Sequence, residues 1–448
     1  MKRREFLRNT TATAAGSMFI PQLRESDMDL DHKAEFDKFG GDKRISSKKT
    51  GYFHTEKIEE KWWLITPEGN GFLISGCNHI NHNYVQQGYN KEQWGEMAQS
   101  REKFYNYVVE DMKAWNMSTI GYGDDFEKPV MPYVKPCRFP AVNCWNSVAS
   151  FPDVFSEKFA RECDEIARKN CESRKDDPYL IGYLFCDVPE WPVPGRVSKR
   201  RPFNWIDDLK RKGADSPGKQ AYVRLMQNRY SKISDFNRVY GTDFSQFSDI
   251  LKDQGFVFKF STDPEMARED DKAFTDLLIR KYYEVVVGAV RRYDQDHMLL
   301  GEICEGNRGV HPTVLSIAKH YVSILSIQYY GVFKDQYEHL KEWNDQTNLP
   351  ILIADSCFGV PTEKMPRPCG TKVDNEKDRA FHFENYATQA FGQSFIIGWL
   401  WCGYIDAWKE KEDRLQHTGL KDIYGKPYEP ITRAMQKVYG SVMDIHKG

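Results

Sequence analysis

The chain has 448 residues, long enough for one large domain or two ordinary ones and for a sizeable core. With 63 Lys and Arg against 65 Asp and Glu, its net charge of -2 excludes general binding to nucleic acid, which needs a basic footprint. Aromatic residues reach 14%, with 11 Trp and 24 Tyr, and flat rings with polar edges are suited to lining sugar sites.

The first 25 residues, opening MKRREFLRNTTATAAGSMFIPQL, place Arg3 and Arg4 ahead of a mild apolar stretch from Ala12 to Ile20. They resemble a bacterial twin-arginine export signal, which implies a periplasmic or secreted protein. Residues 26–50 are polar and charged and read as a linker, and 51–448 read as one folded domain. No run reaches the roughly 18 apolar residues of a membrane helix, so no membrane span is expected.

The domain opens on a small β-hairpin, whose strands flank the Pro-Glu-Gly-Asn-Gly turn at 67–71. Strands are then predicted at 71–78, 117–122, 141–147, 180–187, 297–302, 323–329, 350–355 and 394–401. Helical stretches lie between them at 91–115, 153–172, 266–293, 311–320, 334–345 and 376–391. Short apolar strands separated by helices indicate parallel strands covered on the outside. Eight such units predict an α/β fold of the (β/α)8 TIM-barrel type. The competing architecture is an open doubly wound sheet, but no glycine-rich phosphate turn follows strand one. Segment 192–265 is too long for a simple connection and reads as a helical insert after strand four.

In such a barrel the chemistry sits at the C-terminal ends of the strands. Strand one ends in Asn78-His79, with His82 close behind; strand two ends in Tyr122. Strand three ends near Trp145, and strand four in Asp187, with Glu190 and Trp191 following. Strand five ends in Glu302, strand six in Gln328 with Tyr330 behind, and strand seven in Asp355. Strand eight carries Trp399 and Trp401, expected on opposite faces, with Trp401, nearer the mouth, facing the barrel centre. Any one acid at a strand end is as readily a helix N-cap. Together, carboxylates within aromatic walls are what glycoside hydrolysis needs: one protonates the leaving oxygen, the other attacks the sugar or activates water.

The ten cysteines show no C-x-x-C pair and read as buried thiols. Cys77, Cys186, Cys304, Cys357 and Cys402 fall near strand ends and, with His79 and His82, pose a soft metal site as a rival reading. No paired spacing supports it, so neither a metal nor a cofactor is expected.

Five stretches carry a resemblance: KWWLITPEGNGFLISGCNHI, DPYLIGYLFCDVPEW, FNRVYGTDFSQF, PILIADSCFG and QHTGLKDIYGKPYEP. Through them, residues 51 to about 440 resemble the clan of barrel glycoside hydrolases with the acid/base on strand four and the nucleophile on strand seven. The resemblance is in particular to the family 50 agarases and their relatives acting on algal galactans. It implies a (β/α)8 barrel that cleaves a polysaccharide or oligosaccharide. The clan's Asn-Glu at the end of strand four falls on Asp187-Val188, so either Asp187 or Glu190 is the acid. At strand seven Asp355 stands where the clan has its nucleophilic Glu.

The expected roles follow. Asp187 is the general acid and Asp355 the nucleophile or base, with Glu302 a third acid. Asn78, His79 and His82 bond sugar hydroxyls, and Tyr122, Trp145, Trp191, Gln328, Tyr330 and Trp401 complete the substrate site. A basic stretch with interleaved aromatics at 194–213 is placed to engage sulfates or carboxylates of a glycan. The alternative is a non-catalytic glycan-binding barrel that has lost the Glu pair.

Overall fold

The structure, a computed structural model, describes residues 35–125, 129–143, 150–191, 204–254, 261–363, 365–406 and 418–448. The segment expected to be an export signal, the first part of the expected linker, Trp145 and residues 194–203 of the basic stretch lie outside the described residues.

Eight parallel strands close into a barrel. They are β1 (Ile74–Cys77), β2 (Thr119–Ile120), β3 (Tyr133–Pro136), β4 (Leu180–Asp187), β5 (Met298–Glu305), β6 (Leu325–Gln328), β7 (Ile351–Ser356) and β8 (Ile396–Trp401). Each strand pairs with the next, and β8 pairs with β1 through Gly398↔Ile74 to Trp401↔Cys77. The runs LIGYLFCD, ILIADS and IIGWLW are apolar on both faces because one face fills the barrel and the other meets helices. The predicted α/β TIM barrel is therefore the observed one.

Strand three corrects the sequence reading. It is Tyr133–Pro136, not 141–147. Pro132 and Pro136 bracket it, and only Val134 is a buried aliphatic residue, so it lacks the apolar run of a barrel strand. Its buried Lys135 is matched by Asp125. Asn143, within the segment predicted as a strand, makes a single bridge to Pro189.

The lower end is plugged by more than a hairpin. A four-stranded antiparallel sheet runs in the order 42–46, 70–72, 61–65, 54–58. Asp42–Ser46, expected in the linker, is thus a strand of the folded body. The sheet is tied to the base of the barrel by Trp62 N–H donating to Ser394 O at 2.7 Å, just before β8. With that end sealed, the site belongs at the opposite, C-terminal rim.

The outer helices form where the sequence places an apolar stripe. Glu157–Cys171 is capped by Ser156, whose side chain accepts from Phe159 N–H, and buries Phe159, Cys163, Ala167 and Cys171, four residues apart. The expected helix 91–115 breaks into Lys91–Trp94, Glu96–Gln99 and Arg101–Ala114, because Gly95 takes φ 49° and Ser100 starts a new cap. The insert carries helices Trp205–Lys210, Pro217–Arg229, Ile233–Tyr240 and Phe247–Lys252. Buried Asp270, on helix Pro264–Tyr293, anchors it by accepting from Arg229, Tyr230 and Tyr240.

Beneath β4, Asp294 accepts from the Tyr183 hydroxyl at 2.6 Å and pairs with His297 at 2.7 Å. Burial pushes this carboxyl up, but the bonds from His297 and Tyr183 and the His297 charge win and hold it at about 2. A carboxyl depressed by folding stabilises above its unfolded value, near 4, and loses that stabilisation as pH falls toward 2. Up to about 2 kcal/mol is at stake. Urea midpoints measured from pH 6 down to pH 2.5 are expected to fall steeply below pH 4, and more shallowly in Asp294→Asn.

Candidate active site

The rim is organised around Asp355, at the end of β7 and only 4% exposed. A carboxylate buried that far needs donors. Asn78, directly after β1, gives Nδ2–H to Asp355 Oδ1 at 3.0 Å and to Ala354 O at 2.7 Å. The Asn78 Oδ1 accepts from Tyr122 N–H at 3.1 Å, and its own N–H donates to Trp401 O at 2.8 Å. One residue thus joins the ends of β1, β2, β7 and β8 through its side chain and its main-chain N–H. The Tyr330 hydroxyl donates to Asp355 Oδ2 at 3.1 Å, and His79 Nε2 lies 4.0 Å from that oxygen.

Next to this cluster opens a cavity of roughly 430 Å³, a size suited to a small ligand or a few sugar units. His79, Tyr122, Arg138, Phe139, Asn143 and Asp187 are among its walls. The Tyr122 hydroxyl meets His79 Nε2 at 3.0 Å. Burial, then the charges of Asp355 and Asp187, push the Tyr122 phenol well up. Tyr122 is therefore a neutral donor in the field of both acids. Asp187 faces the cavity; Asp355 sits deeper, behind His79 and Tyr122.

Three non-glycine residues at this rim have left-handed backbone: His79 at φ 55°, Arg138 at φ 62° and Val188 at φ 38°. Such conformations cost on the order of 1–3 kcal/mol each and collect at functional sites. For a β-branched residue such as Val188 the conformation is a genuine outlier.

Asn78, His79, Tyr122, Tyr330, Asp187 and Asp355 therefore come together at the rim. Other expected members do not. Glu302 turns out of the barrel, where the Tyr283 hydroxyl of helix Pro264–Tyr293 donates to it, and its neighbour Ile303 lines the cavity instead. Burial pushes the Glu302 carboxyl up, with Tyr283, Cys304 and Trp191 opposing. Trp191 stacks on Trp205 of the insert at 5.6 Å and on Tyr283 at 6.4 Å, so it packs the insert rather than the cavity. His82 is buried, its Nε2 on Met97 O at 2.8 Å and its N–H on Asp124 at 2.7 Å. Glu190 is outside the cavity wall; its N–H donates to Val142 O at 2.7 Å. Gln328 is buried in register beside Asp355 and does not reach the cavity.

Trp399 and Trp401 are not on opposite faces. Both pack on Phe383 of the outer helix Glu376–Phe391, at 5.3 and 6.0 Å, and Arg379 lies 5.2 Å from the Trp401 ring. Residues two apart on a strand share a face, and here that face is the outer one.

Arg138, Phe139 and Asn143 line the cavity and were not anticipated. Placing strand three at 133–136 would have found Arg138 and Phe139, which follow its end by two and three residues.

No family model matches the chain. A curated relative, Beta-agarase B of Vibrio sp. (strain JT0107), is 20% identical over 472 residues, covering 87% of this chain and 48% of that protein. The chain thus spans about half the length of the relative it matches. Among solved structures, an exo-beta-agarase superposes with a TM-score of 0.76 at 19% identity, covering 94% of this chain and 70% of that one. An agarase, AgWH50C, gives 0.77 at 19% identity, with the same coverage. The chain is similar to agarases. At these identities the structural likeness establishes the barrel, and the proteins it selects are those the sequence resembles.

If Glu302 only packs, Glu302→Gln keeps an acceptor for Tyr283 and removes a carboxyl that folding disfavours in its charged form. Stability owed to a raised carboxyl is lost as pH rises, so at pH 8 this variant is expected to melt no lower than the parent. A variant that melts well below the parent at pH 8 would contradict this packing role.

Proposed function

We propose that the chain is an exported glycoside hydrolase that cleaves a galactan-type or other charged algal glycan, of the agar, porphyran or carrageenan kind. The observation that carries this reading is that Asp187, at the end of β4, lines the cavity together with His79, which lies 4.0 Å from Asp355 at the end of β7. Those are the strands from which the resembling clan draws its two carboxyls. Asp187, which faces the cavity, protonates the leaving oxygen. Asp355 acts on the sugar as nucleophile, or as base to water, with the anomeric form of the product distinguishing the two. Asn78 and Tyr330 hold Asp355 in one orientation, and Tyr122 and His79 present donors to sugar hydroxyls. The strained backbone at Val188 supports the shift of the acid by one residue, since it re-aims the end of β4. Exposed Arg138 on the cavity wall supports an anionic substrate. The Arg3-Arg4 pattern supports export.

A second reading, a glycan-binding barrel without turnover, is favoured by one observation. Val188, where the clan carries its Glu, is 2% exposed and offers no acid.

Asp187→Asn and Asp355→Asn, each with an unchanged fold, are expected to lower kcat by on the order of 10²–10⁴. Parent-level turnover in either variant removes that residue from the mechanism. Arg138→Ala is expected to raise KM for a sulfated or carboxylated oligosaccharide and leave it unchanged for the neutral analogue; equal effects on both would assign Arg138 to general packing.

A further inference from the structure

Three thiols converge beside Asp355. Cys357 follows β7, Cys402 follows β8, and Cys369 comes from the loop after β7. Their sulfur atoms all lie within 4.8 Å of one another, and all three residues are buried. Cys369 and Cys402 have their sulfurs 3.9 Å apart. The Tyr330 oxygen sits 3.3 Å from the Cys369 sulfur and 3.5 Å from that of Cys402.

Buried cysteine alone says little, because a thiol packs as a small apolar group. Spacing says more. With Zn–S bonds near 2.3 Å, two sulfurs on one tetrahedral ion stand about 3.8 Å apart, and a sulfur and an oxygen ligand about 3.5 Å apart. The Cys369–Cys402 pair and the Tyr330 oxygen already have these separations. The widest separation in the trio needs at most about 1 Å of closure to match them.

The backbone holds the three segments together before any ion arrives. Thr371 N–H donates to Cys357 O at 3.0 Å, and Cys402 N–H to Ser356 O at 3.1 Å. Phe358–Gly359 pairs with Thr371–Lys372. Gly370 is at φ 92°, and a Cβ there would lie 2.4 Å from Cys357 O and 2.5 Å from its sulfur. The loop therefore descends onto Cys357 at a distance only glycine permits.

We propose that Cys357, Cys369 and Cys402 bind one thiophilic metal ion, zinc or monovalent copper, with the Tyr330 oxygen at the fourth corner. Thiolates select these ions. Binding releases the thiol protons to solvent. The ion ties the loop after β7 to the ends of β7 and β8. Through Tyr330, which also donates to Asp355, it steadies the deeper carboxylate of the rim. This is not the set of thiols and histidines suggested by strand ends alone: Cys369 lies on a loop, and Cys77, Cys186, Cys304 and His82 take no part.

The test uses the full chain, reduced and freed of metal, titrated with Co2+ and followed by thiolate-to-cobalt charge-transfer absorption. The expected result is a band that saturates at one ion per chain, is displaced by Zn2+, and is lost or shifted in Cys369→Ser, a loop change that spares the strands. A titration of the parent without such a band overturns the proposal. So does a band unchanged in Cys369→Ser, or a Cys369–Cys402 disulfide found by peptide mapping of the chain as purified. If Cys369→Ser does not fold, the parent titration decides alone, supported by whether Zn2+ shields these three cysteines, and not Cys163, from alkylation.

Discussion

A charge that must be satisfied in a buried place governs this rim. Asp355 closes a strand apolar on both faces, and an unpaired carboxylate there would be strongly destabilising. Its donors come from β1, through Asn78, and from the segment after β6, through Tyr330. Asn78 also binds backbone of β7 and receives the Tyr122 amide. Satisfying one carboxylate therefore sets the relative positions of four strand ends. Tyr122 and His79 are placed as a consequence, and the cavity is the space they leave in front of Asp187.

The rest of the molecule keeps that end open and the other end shut. The antiparallel sheet and the C-terminal helix close the base, with His446 bonded to both Phe391 O and Trp62 O. The helical insert is packed by Trp191 and anchored at Asp270. Groups that look chemical in a linear reading, among them Trp191, Glu302 and His82, serve this packing. Left-handed backbone at His79, Arg138 and Val188 lies at the open rim, while Glu59, Glu60, Asn116 and Asn348 adopt it elsewhere. That division is the one expected when stability resides in the scaffold and function in its strand ends.

Much of this was legible in the chain itself. Strands such as 180–187 and 350–355 stand out because both of their faces are apolar, and the rule of reading their last residues found Asn78, Asp187 and Asp355. What failed has identifiable causes. Tyr133–Pro136 is too short and too bounded by proline to show as a strand, so Arg138 stayed hidden. The facing of Glu302 depends on its own strand's register against β4, which shifts between Leu184 and Asp187, and no local pattern reveals such a shift. Alternation alone would have put the two tryptophans of β8 on one face, since residues two apart share a face. The thiol cluster was invisible because Cys369 reaches it from a loop.

The central claim is that this barrel cleaves glycosidic bonds although the clan's acid position holds Val188. The most direct measurement incubates the purified chain with agar, porphyran, carrageenan and their oligosaccharides and follows products by chromatography and mass spectrometry. The account predicts shorter oligosaccharides bearing new reducing ends from at least one of these glycans. Intact polymer throughout, with a glycan still raising the melting temperature, would contradict it and leave a binding protein on a hydrolase scaffold.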